Sequence, residues 1–315
     1  MVRRSFLTLA MLATMAGLAR AEESVAELRA RIGGLDSKIC GLASVVKKVE
    51  GRPGEAWVLW HLARLYEQRA GARFQLHAIL NPPAKEFDDL VMGVLPPPET
   101  LADRQAYEDL CRRLITRFAR TTPGVAAALD LGITRERDFK MDAAGALFKK
   151  ALELAKNPRQ VALARFFRAR WLTYQAARGK APGGYARALE LIRPVAAGTS
   201  RLTSRDPYSS GPLDVRSQAL WLTGQCLGHT GRPEQLEAAL EGGGLEAAAR
   251  VRLLEDLAHS YVCWRQLPFS KAAYKILLSE HPKHKSARFW RERLAHVEAE
   301  IAAGRTGGCR YDFSS

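Results

Sequence analysis

Apolar side chains in this chain recur at intervals of three and four residues almost throughout, the spacing that lines one side of an α-helix. Leu254, Leu257 and Tyr261 form one such stripe. Val25, Leu28 and Ile32 form another, which Ile39, Leu42 and Val46 resume after Gly33 and Gly34, so residues 22–50 read as a helix or a helical pair. Gly51-Arg52-Pro53-Gly54 is a turn. Beyond it, Leu59, Leu62, Ala63 and Tyr66 predict a first helix and Ala72–Leu80 its return helix. Phe87, Leu90, Val91 and Leu95 could pack, and Pro96-Pro97-Pro98 reads as a stiff linker. Glu99–Arg120 is a strong helix, with Leu101, Tyr107, Leu110, Leu114 and Phe118 as its candidate buried side, and Pro123 opens the next. Val161–Arg178 and Tyr185–Ala197 suit a helical hairpin. Residues 198–213 have no period and read as a long surface loop, functional or simply inserted. Gly242-Gly243-Gly244 reads as a flexible joint, and 304–315 as a mobile tail. Runs of β-branched residues are scarce, so the pattern predicts an all-α chain.

One stripe occurs twice. Leu220, Thr223, Gly224 and Leu227 are followed 34 residues later by Leu254, Leu257, Ala258 and Tyr261, and Ser270, Tyr274 and Pro282 close the second copy. Large, large, small, large at this offset resembles the tetratricopeptide repeat, W-x2-L-G-x2-Y, then A-x3-F, then P. Ala128, Leu131 and Gly132 with Ala144, Phe148, Ala151, Leu152 and Leu154 match a further pair, although Arg135 stands where the repeat has an aromatic. The resemblance implies a right-handed solenoid of antiparallel helix pairs over residues 55–303, preceded by a helical segment at 22–54. Lys285–Ala303, with Ala287, Trp290, Leu294, Val297 and Ile301 on one side, fits a C-terminal capping helix. Family members commonly bind peptides or protein termini in a groove lined by first helices. Residues of those helices that point off the packing stripe become the expected contacts: Gln218, Trp221, Gln225, His229, Arg252, Glu255 and His259. Trp221 either anchors a bound segment or packs on the neighbouring helix.

Residues 1–21 read as an export signal: Arg3 and Arg4, an apolar Phe6–Leu18, and a small-x-small end at Ala19-Arg20-Ala21. Arg3-Arg4-Ser5-Phe6-Leu7 resembles the twin-arginine core R-R-x-F-L, with Val2 and Thr8 where that core has Ser and often Lys. A bacterial periplasmic or extracellular protein is expected. The signal holds three of the 48 Lys and Arg and none of the 33 Asp and Glu, so the remainder carries +12. No later segment is apolar for long enough to span a bilayer. The five cysteines include no C-x-x-C pair, which leaves zinc ribbons and thioredoxin-like motifs unsupported. Cys226 and Cys263 read as buried small hydrophobes, with a bridge between them as the alternative.

Catalytic signatures are missing: there is no H-E-x-x-H, G-x-S-x-G, G-x-x-x-x-G-K or G-x-G-x-x-G. His281-x-x-His284 lies among lysines, which oppose a cation, so neither metal nor cofactor is expected. The expectation is a non-catalytic scaffold that binds a peptide or protein partner. The competing reading is a basic array that binds an anionic envelope polymer, a membrane surface or nucleic acid. Arg112, Arg113, Arg117 and Arg120 carry it, as do Arg165, Arg168 and Arg170 beside Phe166, Phe167 and Trp171, a mixture suited to base stacking.

Overall fold

The computed structural model describes residues 23–81, 95–198, 202–206, 211–241 and 244–305. Among them are twelve helices and one two-stranded sheet, and neighbouring helices pack on one another in chain order. The expected export signal, the segment 84–94 and the tail beyond Arg305 lie outside the described residues. No helix among those described is long and apolar enough to cross a membrane. The helices group into two compact units, one of residues 1–161 and 205–212, the other of residues 162–204 and 213–315.

The first unit begins with α1 (Val25–Val49), whose start is fixed by a capping box between Ser24 and Glu27. It is a single helix: Gly33 and Gly34 lie on its exposed side, where glycine weakens a helix without breaking it. Leu28, Leu35 and Ile39 are its buried residues. The next element corrects the expected hairpin at 55–80. α2 (Glu55–Leu80) is one continuous helix of 26 residues. Between Tyr66 and Ala72 the chain offers only Gly71 as a breaker, and its cost of about 1 kcal/mol is outweighed by packing along the helix. α2 packs on α1 and on α3 (Pro98–Arg117). It stops at Asn81, whose side-chain amide and backbone N–H both donate to the His77 carbonyl. Leu101, expected on the buried side of α3, is exposed, while Tyr107 and Leu114 are buried.

α4 (Thr122–Arg137) is capped by Thr121, which accepts a hydrogen bond from the Gly124 N–H. It pairs with α5 (Met141–Leu154). Gly132 allows the approach, because a Cβ there would stand 2.5 Å from the Phe148 ring. Arg135, the misfit in the repeat pattern, instead makes two hydrogen bonds to the Glu108 carboxylate of α3.

In the second unit, α6 (Pro158–Ala177), most of which belongs there, precedes α7 (Gly184–Ala196). Residues 198–213 are not a plain loop. They carry two short strands, β1 (Thr203–Arg205) and β2 (Pro212–Asp214), paired in one sheet. Three-residue strands are too short to show an alternating pattern. Asp214 then caps α8 (Val215–Thr230) through the Arg216 and Ser217 N–H groups. α9 (Gln235–Glu241), α10 (Ala247–Cys263), α11 (Leu267–Glu280) and α12 (Ala287–Ala302) follow.

The recurring stripe forms the contact of α8 with α10. A Cβ at Gly224 would lie 2.7 Å from the Leu257 side chain, and Tyr261 donates a 2.7 Å hydrogen bond to the Gly224 carbonyl. Ser270 repeats the arrangement within the next pair by donating to the Ala258 carbonyl at 2.9 Å. On α12, Ala287, Trp290 and Val297 are buried, whereas Ile301 is exposed.

Cys226 is a buried free thiol, 3.6 Å from the Thr173 hydroxyl of α6, so the suggested bridge to Cys263 is not made. Cys263 is only half-buried and is disulfide-bonded, against its reading as a buried small hydrophobe.

Candidate functional site

The seven residues expected to face a partner all lie on α8 and α10, but they do not form one set. Gln218 and His229 on α8, and Arg252 and His259 on α10, are exposed. Trp221 and Gln225 are half-buried. Trp221 both packs and remains accessible. Its ring stands edge-on to Trp264 at 5.7 Å, and Trp264 in turn is 5.7 Å from Tyr261. His229, though exposed as a residue, stacks on Tyr185 of α7 with ring centres 4.0 Å apart, and partial loss of solvent holds its pKa below the ordinary histidine value. The result is a surface of aromatic rings contributed by α7, α8 and the end of α10. Glu255 faces elsewhere: its carboxylate accepts a 2.8 Å hydrogen bond from the Trp290 indole and so serves the last helix. Sequence reasoning missed Tyr185 and Trp264, which belong to this surface only because the helices bring them to Trp221 and His229.

The second feature is a cleft of about 90 Å³ in the first unit. Glu67, Ala70 and Gly71 of α2 line it, with Arg104, Tyr107 and Glu108 of α3, and Thr134, Arg137 and Asp138 at the end of α4. Most of its charges are already spoken for. Glu67 is paired with Arg64 at 2.7 Å and with Arg205. Arg205 extends from β1 and donates to the Thr134 hydroxyl at 2.9 Å. Burial, with Arg64 close by, depresses the Arg205 pKa to about 10. Glu108 is held by Arg112 at 2.7 Å and by the Arg135 fork. Tyr107 donates to Asp130 at 3.1 Å, and Asp130 also receives Arg64 at 2.8 Å.

Two cations stand apart. Arg104 has no hydrogen-bond or ion-pair partner among the described residues, and the nearest carboxylate to Arg137 is its neighbour Asp138 at 3.9 Å. Burial and then the charge of Arg137 push the Arg104 pKa below the usual arginine value, with Asp138 and Glu108 offsetting part of the effect. No motif marks this cleft, since its lining residues are spread over 72 positions from Glu67 to Asp138.

The first basic stretch is tied into ion pairs of the fold although Arg112, Arg117 and Arg120 are exposed. Arg113 and Arg117 converge on Glu55, and Arg112 on Glu108 and Asp109. Phe166 and Phe167 are 1% and 0% exposed, which removes them as stacking surfaces for bases. His284 stacks on Trp290 at 4.8 Å and accepts from the Ser286 N–H, so its ring has a structural partner. No protein-family model, curated protein or solved structure matches this chain.

Proposed function

We propose that the chain is an exported, tetratricopeptide-like scaffold without catalysis of its own, and that its second unit binds a peptide or protein segment on the α7–α8–α10 aromatic surface. The observation that supports this reading is the half-buried Trp221 packed on Trp264, which packs on Tyr261, with exposed Gln218, Arg252 and His259 on the same two helices. Rigid aromatic rings give large contact area at small entropic cost, and arginine and glutamine at the margin supply hydrogen bonds to a backbone or carboxylate. Glu255 is left out of the contact set because its carboxylate is engaged by Trp290.

The experiment is capture of partners from the cell envelope by the chain lacking residues 1–21, followed by measured affinity for the captured partner. Trp221→Ala is expected to weaken binding at least about tenfold. The wild-type affinity should change little between about 0.1 and 0.5 M NaCl, whereas an anionic-polymer binder loses affinity steeply over that range. A steep salt slope with full retention in Trp221→Ala would overturn the reading in favour of the polymer.

A further inference from the structure

We propose that the α2–α3–α4 cleft of the first unit is a binding site for a single carboxylate group, held between Arg104 and Arg137. The inference is independent of the aromatic surface. It starts from an electrostatic imbalance. Five arginines of the first unit, Arg64, Arg69, Arg112, Arg135 and Arg205, are each tied to carboxylates of the fold. Arg104 is tied to none among the described residues, yet it lines the same cleft as Arg137, a like charge that disfavours it. Arg104 and Arg137 are exposed residues lining the same cleft, Asp138 and Glu108 offset only part of the repulsion on Arg104, and an incoming anion lowers it further.

Size and charge select the ligand class. A cleft of about 90 Å³ takes one small head group rather than a nucleotide or a sugar ring. Guanidinium forks match the planar, two-oxygen edge of a carboxylate. Glu67, Glu108 and Asp138 line the same walls. Their negative charge is largely neutralised by other arginines, which admits a monoanion, but it opposes a second charge on the ligand and so disfavours phosphate. Arg205 holds Glu67 and the Thr134 hydroxyl, two groups of the cleft wall. The carboxylate could be a free small acid or the C-terminus of a peptide, which share this chemistry.

The test uses the full chain in a zwitterionic buffer. Acetate is titrated against equal concentrations of chloride and phosphate, following thermal unfolding and calorimetric heat. A lone carboxylate of this size should bind with Kd on the order of a millimolar, and acetate at about ten times that concentration should raise Tm by about 2–4 °C over chloride. An N-acetyl dipeptide with a free C-terminus is compared with its C-terminal amide. Tighter binding of the acid than of acetate assigns the site to chain termini, and equal binding assigns it to free acids.

Arg104→Gln should lose at least tenfold in affinity while its ligand-free Tm stays level or rises, because the charge it removes has no partner. A merely structural arginine would lower Tm instead. Gly71→Leu offers an independent arm: a Cβ at Gly71 meets open space, and leucine favours helix over glycine, so the variant folds with the cleft mouth filled. It should lose the acetate response with Arg104 intact. An acetate shift no larger than that of chloride, an undiminished shift in both variants, or tighter binding of phosphate than of acetate would overturn the proposal.

Discussion

Glu55 shows what single residues contribute to this fold. It starts α2 with 0% exposure, so its ionised carboxylate needs partners. Burial alone would push its pKa up, but the Gly51 N–H at 2.7 Å, the Arg113 guanidinium and Arg117 outweigh that and hold it below the usual carboxylate value. Glu280 is lowered as well, chiefly by the Arg250 fork at 2.6 and 2.7 Å, with burial opposing. A carboxylate depressed in the folded state contributes stability above its unfolded pKa of about 4.3, and that contribution fades as pH falls through the folded value. Unfolding temperature is therefore expected to stay level from about pH 7 to 5 and to drop below about pH 4.3. Glu55→Gln should cost about 1–3 kcal/mol at pH 7 in urea denaturation. The gap to wild type should shrink at pH values near 3.5, a figure set below the ordinary glutamate range of about 4.3. A gap of equal size at both pH values would show that shape rather than charge is what this residue supplies.

At the scale of elements, close approach of helices depends on small residues at particular places. Gly224→Val would drive a branched side chain into Leu257 and disturb the Tyr261 hydrogen bond, and is expected to destabilise the second unit by about 2–3 kcal/mol. Gly71→Ala on α2, where the added Cβ meets nothing, should stabilise by about 1 kcal/mol. Comparing the two by thermal unfolding separates packing from propensity, and a neutral Gly224→Val would mean that the α8–α10 contact is loose. The 34-residue recurrence made this contact legible beforehand, because Leu220, Leu254, Leu257 and Tyr261 are all 0% exposed and lie on regular stripes. Other elements were not legible for equally physical reasons. A hairpin with its return helix at Ala72–Leu80 is expected where α2 runs on, because a single glycine weakens a helix without breaking it. The β1–β2 pair is held by backbone bonds that carry no side-chain period. The cleft depends on which arginine takes which carboxylate across separations as long as that from Glu67 to Arg205, and spacing along the chain does not encode that choice.

For the whole molecule, the proposed export ties the cysteines to the N-terminal arginines through the order of folding and crossing. A twin-arginine route would carry the chain across already folded, from a compartment that keeps thiols reduced. The helices must then close without the Cys263 disulfide. The packing is consistent with that demand. Cys111 and Cys226 are buried free thiols whose pKa values burial pushes up, Cys226 to about 11, so they behave as apolar side chains rather than as reactive groups. The disulfided Cys263 stands at the end of α10, and the buried stripe of Leu254, Leu257 and Tyr261 precedes it along the helix. The reduced protein is therefore expected to keep its helical circular dichroism and a cooperative unfolding transition, with Tm lowered by a few degrees at most. In cells, changing Arg3 and Arg4 to lysine together should retain the precursor inside, whereas a general secretory signal would still pass with two lysines. The two measurements constrain each other. Retention of the lysine variant with a reduced chain that folds agrees with passage in the folded state. A chain that unfolds on reduction, or a lysine variant exported as before, would assign it to the general route, with the disulfide formed after crossing as part of how the second unit becomes stable.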